Sequence, residues 1–377
     1  MRRSLARGAA RPLLELAAWA LAGCAHATDG QRNPATKEEY RPATREQHRI
    51  DISEPLVITA GPPAQVALGD MDEATLFDGG SRAFAAGEFE KAATHFERLA
   101  DAFPQGGNLL PALWNAGLAR ERLGQWTLAL DRFTSYLARD SATARHDDVD
   151  AQFHAAVAEY KLGRLDDAAA RLHRLSERAD LPAARKGEAL LQEGVCRVEA
   201  GKRDEGEKLL RAAIALYDKD DAVDPALPAQ AEFWMGEVYR GYFRGVQLDP
   251  STMDEEKLGA TLEAKAEFLL SAQGHFLRAI RRGDGEWATA AGFRIGELYE
   301  QFHDELVGAP LPRGLNEELR SAYQHALREK VRNLIGKAIR IYEQTLATAQ
   351  RVGASSGYVQ KTEAALERLK KLMLGTN

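Results

Sequence analysis

Two cysteines, nine histidines and a few acidic clusters are the residues of this chain with the chemistry for catalysis or metal binding. His303-Asp304-Glu305 sets an imidazole beside two carboxylates, but it falls at an expected helix end near a loop and reads as a solvated terminus. Asp218, Asp220, Asp221 and Asp224 crowd one turn. A calcium loop of the EF type needs a central glycine and a closing glutamate, and neither stands at the right spacing, so this is a solvated acidic turn. His146-Asp147-Asp148 and Asp150 suit the start of a helix, where carboxylates favour the dipole. Cys196 falls on a helix that should be packed and reads as a small buried thiol. No HExxH, phosphate loop or nucleophile elbow is present. The expectation is a protein that is not an enzyme and needs no cofactor or metal.

Cys24 stands apart. It closes the run Leu21-Ala22-Gly23-Cys24, which follows Arg2, Arg3, Arg7 and Arg11 and an apolar stretch from Leu13 to Ala22. A basic start, an apolar middle and small residues at the end form a secretory leader. Ending on a cysteine, the leader resembles the lipobox of bacterial lipoproteins, with Glu15 an unusual residue inside the apolar stretch. That resemblance implies that residues 1–23 are cut away and that Cys24 carries the lipid. Ala25, rather than Asp, follows the cysteine, which in that family implies transport to the outer membrane, on its periplasmic face.

The chain has 377 residues, 28% of them charged and 45% hydrophobic, with a formal charge of −6. This is ordinary globular composition with length for a large core or a repeat array. Four arginines and one glutamate leave with the leader, so the remaining chain is more acidic still. A mildly acidic chain without a basic stripe does not bind nucleic acid. No run of 18 apolar residues would cross a bilayer. With Cys24 acylated, Cys196 has no partner for a disulfide.

Residues 24–72 read as the lipidated cysteine and a disordered tether. They hold Pro34, Pro42, Pro55, Pro62 and Pro63 among many polar residues, too little apolar surface to order a segment. Within them, residues 49–59 (Arg49 to Thr59, with Ile50, Ile52, Val57 and Ile58) read as a short extended piece that either docks or is a locally sticky part of the linker.

From residue 73 a helical pattern repeats. Gly80, Ala92, Phe96 and Pro104 recur as Gly117, Ala129 and Phe133, with Gly87 and Gly124 each seven residues after the first glycine. Two looser units follow, with Ala156, Gly163, Ala168 and Leu172, then Gly194, Gly201, Gly206, Leu210 and Ala213. Small residues belong where two helices cross closely, the second glycine supplies a left-handed turn, and the Phe fills the space between units. These spacings resemble the tetratricopeptide repeat, a helix-turn-helix unit of about 34 residues. The expected fold is all-α: a helical solenoid with four such repeats over 73–217, then two enlarged helical hairpins and a capping helix over 218–377.

In the last third, Gly236 with Tyr239 and Gly296 with Tyr299 mark first helices. Ala272, Phe276 and Ala279, then Ala338 and Tyr342, mark the second helices much further on. Pro250, Pro310 and Pro312 lie in the insertions, residues 314–350 read as helix, and a last helix spans about 357–374 with Ala365, Leu366, Leu369 and Leu372 on one face.

One stripe stands out. Three residues before the small crossing residue of each repeat stand Phe77, Trp114, Phe153, Leu191, Phe233 and Phe293, and four residues after it Phe84 and Tyr160 in two units. In the tetratricopeptide family the first of these positions faces the concave groove, so the resemblance implies that these rings anchor a peptide or partner helix. The whole is similar in plan to BamD-like and gliding-motility-complex repeat lipoproteins. The implied function is a lipid-anchored scaffold for envelope proteins or peptides, with a peptidoglycan- or polysaccharide-associated export or assembly factor as the alternative. Replacing Cys24→Ala should abolish lipid labelling and leave the precursor uncut. A wild-type chain found wholly in the cytosol at 41.4 kDa would refute the anchor.

Overall fold

The computed structural model describes residues 71–140, 148–220, 222–311 and 316–374. Cys24, the tether with residues 49–59, and His146-Asp147 fall outside them. Every regular element among the described residues is helical, and none is long and apolar enough to cross a membrane. The chain divides into two units, at Leu175/Ser176.

The first unit holds α1 (Glu73–Ala85), α2 (Phe89–Ala102), α3 (Leu109–Arg122), α4 (Trp126–Asp140), α5 (Asp148–Lys161) and α6 (Leu165–Ser176). Each odd helix pairs with the even one after it through the same turn. Gly87, Gly124 and Gly163 take φ of 76°, 67° and 74°. The residue after each donates its N–H five residues back, as Glu88 does to Ala83, Gln125 to Arg120 and Arg164 to Glu159, all at 2.9 Å. This satisfies carbonyls that the ending helix leaves open, at a φ that costs glycine nothing. Asp72 caps α1 by accepting the Thr75 N–H at 2.7 Å.

The crossing follows from size. A Cβ on Gly80 would lie 2.7 Å from the Phe96 ring, and one on Gly117 2.7 Å from Phe133. Ala92, Ala129 and Ala168 are fully buried. The Phe of the second helix therefore sits directly on the glycine of the first, and the alanine lets the backbones close on it.

The second unit holds α7 (Ala183–Glu199), α8 (Arg203–Tyr217), α9 (Ala226–Gly245), α10 (Glu255–Arg281), α11 (Gly285–Gly308), α12 (Glu317–Val352) and α13 (Gly357–Leu374). The pair α7/α8 repeats the glycine turn at Gly201, φ 80°. It packs on α9, so the fourth repeat stands with the C-terminal helices in the second unit. The two enlarged hairpins keep the crossing rule over far longer spacings. Phe276 of α10 covers Gly236, and Tyr342 of α12 covers Gly296, each too closely to admit a methyl group. The enlargement is uneven: α10 has 27 residues against 20 in α9, and α12 has 36 against 24 in α11.

A buried lysine holds the first enlarged hairpin together. Lys265, fully inaccessible, donates to the Phe243 and Val246 carbonyls at 2.7 Å each, pairs with Glu305 at 2.6 Å and lies 4.1 Å from the Phe243 ring centroid. It thus closes the end of α9, anchors it to α10 and ties both to α11. Ala129→Leu should overpack the α3/α4 crossing and cost roughly 1–3 kcal/mol. An unchanged thermal melt would show that the crossing is misplaced.

Candidate functional site

The first helix of each pair is the element that can present a ligand surface, because first helices lie side by side. In the second unit α9 touches both α7 and α11, and α11 touches α13. In the first unit the Trp114 ring of α3 meets the His154 ring of α5 edge-on at 5.2 Å.

The structure corrects the expected aromatic stripe. Phe77, Trp114, Phe153 and Phe233 are buried. Phe77 meets Phe96 edge-on at 5.5 Å, and both belong to the core of the first pair. Trp114 packs on Phe133 and Tyr136, both at 5.7 Å, inside the core of the second. Phe233 packs on Phe276 at 5.5 Å and on Trp287 at 5.1 Å. The physical reason is placement. These positions point at the junction between a first helix, its own second helix and the next pair, and a ring fills that junction with interlocked edges. Phe84, Tyr160 and Phe293 are half-buried. Phe84 meets Phe89 at 5.3 Å, and Phe293 packs between Tyr342 and Tyr358 at 6.0 and 5.6 Å.

Charge, not aromatics, distinguishes the α9/α11 face. Arg240 bonds Glu237 at 3.0 Å and Glu297 at 2.7 Å. Arg294 reaches the same two carboxylates at 3.1 and 2.7 Å. Two guanidiniums and two carboxylates form a closed ring. Burial pushes the Glu297 carboxyl up, but Arg240 and Arg294 outweigh it and hold it below its ordinary value. Arg244 lies beside this ring, exposed, with its Nε donating to the Gln301 side chain at 3.0 Å. Partial burial, then the like charge of Arg240, depress it. On α9 the buried Gln230 Oε1 and Trp234 Nε1 have no hydrogen-bond partner among the described residues. Gln230, Trp234 and Glu237 recur at four- and three-residue steps and so share one face of the helix.

The sequence reading missed this group. A signal was there: Glu237 and Arg240, then Arg294 and Glu297, repeat an opposite-charge pair three residues apart around the marker glycines Gly236 and Gly296. Such pairs are common on solvated helices, and only the packing of α9 on α11 joins them.

Nothing nearby resembles a catalytic set. Among the described residues no group of three His, Cys, Asp or Glu is arranged to hold a metal ion. Burial pushes the Cys196 thiol up to about 12, which removes its nucleophilic form. Asp218 pairs with Arg282 at 2.7 Å, while Asp220 and Asp224 cap turn N–H groups at 3.0 Å. The buried His154 meets Glu121 at 2.9 Å and stacks on Phe133 at 5.0 Å, a core arrangement. His303 contacts its neighbour Asp304 at 2.9 Å near the end of α11.

The tetratricopeptide-repeat family matches residues 150–179. That stretch covers most of α5 and all of α6, the third glycine-turn pair. No curated protein matches the chain. Among solved structures, that of MamA protein covers 56% of this chain and 96% of its own at 16% identity, with a TM-score of 0.39. The apo form of RapI covers 80% and 100% at 11% identity, with a TM-score of 0.45. A tetratricopeptide repeat protein from Parabacteroides merdae covers 79% and 98% at 13% identity, with a TM-score of 0.38.

Trp114→Ala should cost roughly 3–5 kcal/mol through the cavity it leaves in the first unit. A calorimetric melt of the purified variant checks this. A melt like that of the wild type would return Trp114 to the ligand surface.

Proposed function

We propose that this protein is a lipid-anchored scaffold of the periplasm that holds envelope proteins or peptides on the first-helix face of its second unit. The observation that carries the binding reading is the α9/α11 face. There a pre-formed ring of Arg240, Arg294, Glu237 and Glu297, with Arg244 at its edge, offers fixed charges on a rigid helical support. Fixed, already paired side chains lose little entropy on binding and so favour specificity. The anchor rests on Leu21 to Cys24 and the basic leader before them. Acyl chains contribute about 0.8 kcal/mol per buried CH₂, so more than one makes attachment stable.

Arg244 is exposed, so Arg244→Glu should leave the melt unchanged while lowering partner recovery at least tenfold, a loss typical of an interface anchor. The test is pull-down of the full chain from detergent-solubilised membranes, wild type against variant, beside retention on isolated cell wall. Equal recovery by both chains would remove the α9/α11 face from the binding site. Retention on cell wall with no protein partner would replace the scaffold with a wall-associated factor.

A further inference from the structure

The charge of the second unit is uneven. The chain as a whole is acidic, yet between Leu319 and Ile341 α12 carries Arg320, Arg328, Lys330, Arg332, Lys337 and Arg340 against one carboxylate, Glu329. All of these side chains are exposed. The sequence reading found no basic stripe, because the stripe shows only once the buried side of α12 is known. Val331, Ile335, Ala338 and Tyr342 form that side. Arg328, Arg332, Gly336 and Arg340 follow at four-residue steps on the side turned from it, and Lys330 and Lys337 make a second row one helix edge away. The rows run about 18 Å, at 1.5 Å per residue.

These cations are open. Arg332 reaches Glu329 only at 3.9 Å, and Lys337 lies 5.3 Å from the Tyr299 ring centroid. Among the described residues Arg328, Lys330 and Arg340 form no ion pair. Guanidiniums elsewhere in the molecule are paired: Arg120 with Glu97 at 2.6 Å, Arg171 with Glu159 at 2.7 Å. The carboxylates around α12 are engaged with other groups. Glu343 pairs with Lys370 and Glu367 with Lys371, at 2.7 and 2.6 Å. On α11, Glu300 is held by Tyr342 and Arg368, Glu305 by Lys265, and Asp304 contacts His303. Glu317 and Glu318 stand in the first turn of α12, where they suit the helix dipole. On α13, Glu363 stands near Lys361 in sequence.

We propose that these two rows lay α12 on the anionic phospholipid leaflet that holds Cys24, a second attachment beside the acyl chains; this rests on the lipid-anchor reading above. Cations spread along an exposed helix, without carboxylates to pair them, fit a plane of many anionic headgroups rather than a single ligand. A chain already anchored meets that leaflet at high effective concentration, so a weak attraction at each cation is enough to bring the helix down. Charge also orients the unit. Helices α7 to α11 and their loops hold more carboxylates than cations, so an anionic surface repels them and attracts α12.

The test anchors the full chain in vesicles and places a fluorescent label on Asn333→Cys, an exposed site between the two rows; Cys196 is buried and stays unlabelled. Quenching by a headgroup spin label should be about threefold or more stronger in phosphatidylglycerol vesicles than in phosphatidylcholine vesicles. It should fall to the phosphatidylcholine level in high salt. The triple variant Arg328→Gln, Arg332→Gln, Arg340→Gln, at exposed sites, should melt like the wild type and show the same fall. Equal quenching in the two kinds of vesicle, or no loss in the variant, overturns the proposal. A chain that floats with the vesicles but is quenched in neither overturns the leaflet contact alone. A chain that does not float removes the anchor reading and this one with it. A label that answers to poly-glutamate and not to the vesicles gives the face to an acidic protein segment instead.

Discussion

The contact between an aromatic ring of one helix and a glycine of its partner is the constraint on which the rest of the structure depends. Phe96 on Gly80, Phe133 on Gly117, Phe276 on Gly236 and Tyr342 on Gly296 repeat one interaction at the crossing position, and Tyr217 lies as closely on Gly187 in the pair α7/α8. The ring gains burial only if the glycine has no side chain, and the two backbones come close only if the alanines around them stay small. Interiors packed at crystal density do not absorb an extra methyl group without strain. Once this crossing is set, each helix pair is a rigid block with one core face and one edge, and blocks must stack to bury what remains.

That dependence explains what the sequence disclosed. The crossing uses residue types that few other environments demand at those spacings, so Gly80, Ala92 and Phe96 mark a helix pair in the sequence itself. The rule survived a change of scale. Gly236 and Phe276 are 40 residues apart and Gly296 and Tyr342 are 46, yet each pair meets as Gly80 and Phe96 do. The turn glycines were legible for a similar reason, since positive φ excludes nearly every other residue. The direction of a ring was not legible. Phe77 and Trp114 differ from a groove residue only in which neighbour stands opposite, and that neighbour lies on another helix. The α9/α11 charge ring was hidden likewise, because Arg240 and Glu297 are 57 residues apart and meet only through packing.

Polar groups inside the second unit set which helix ends belong together. Lys265 is fully buried and would be costly there without partners. It has two carbonyls, a carboxylate and a ring face. Those partners come from α9, the loop after it and α11, so a slipped register of α10 would strand the ammonium. Glu300 plays a related part at the other end, accepting from the Tyr342 hydroxyl at 2.5 Å and pairing with Arg368 of α13. Apolar packing alone would tolerate sliding between helices as long as α10 and α12. These polar contacts remove that freedom at one point in each hairpin.

Register fixed in this way has a consequence for the surface. A hairpin whose two helices had equal length would end flush and leave nothing uncovered. Here Tyr342 on Gly296 fixes where α12 stands against α11, while α11 ends at Gly308, two residues before Pro310. The difference in length must then emerge as a stretch of α12 beyond the end of α11, where Leu319 is exposed and Tyr323 and Leu327 are half-buried. Were Leu319, Tyr323 and Leu327 polar, the overhang would be only a solvated helix start. Their side chains continue the spacing of Val331 and Ile335 without a break, so the chain carries a core pattern past the end of its own core.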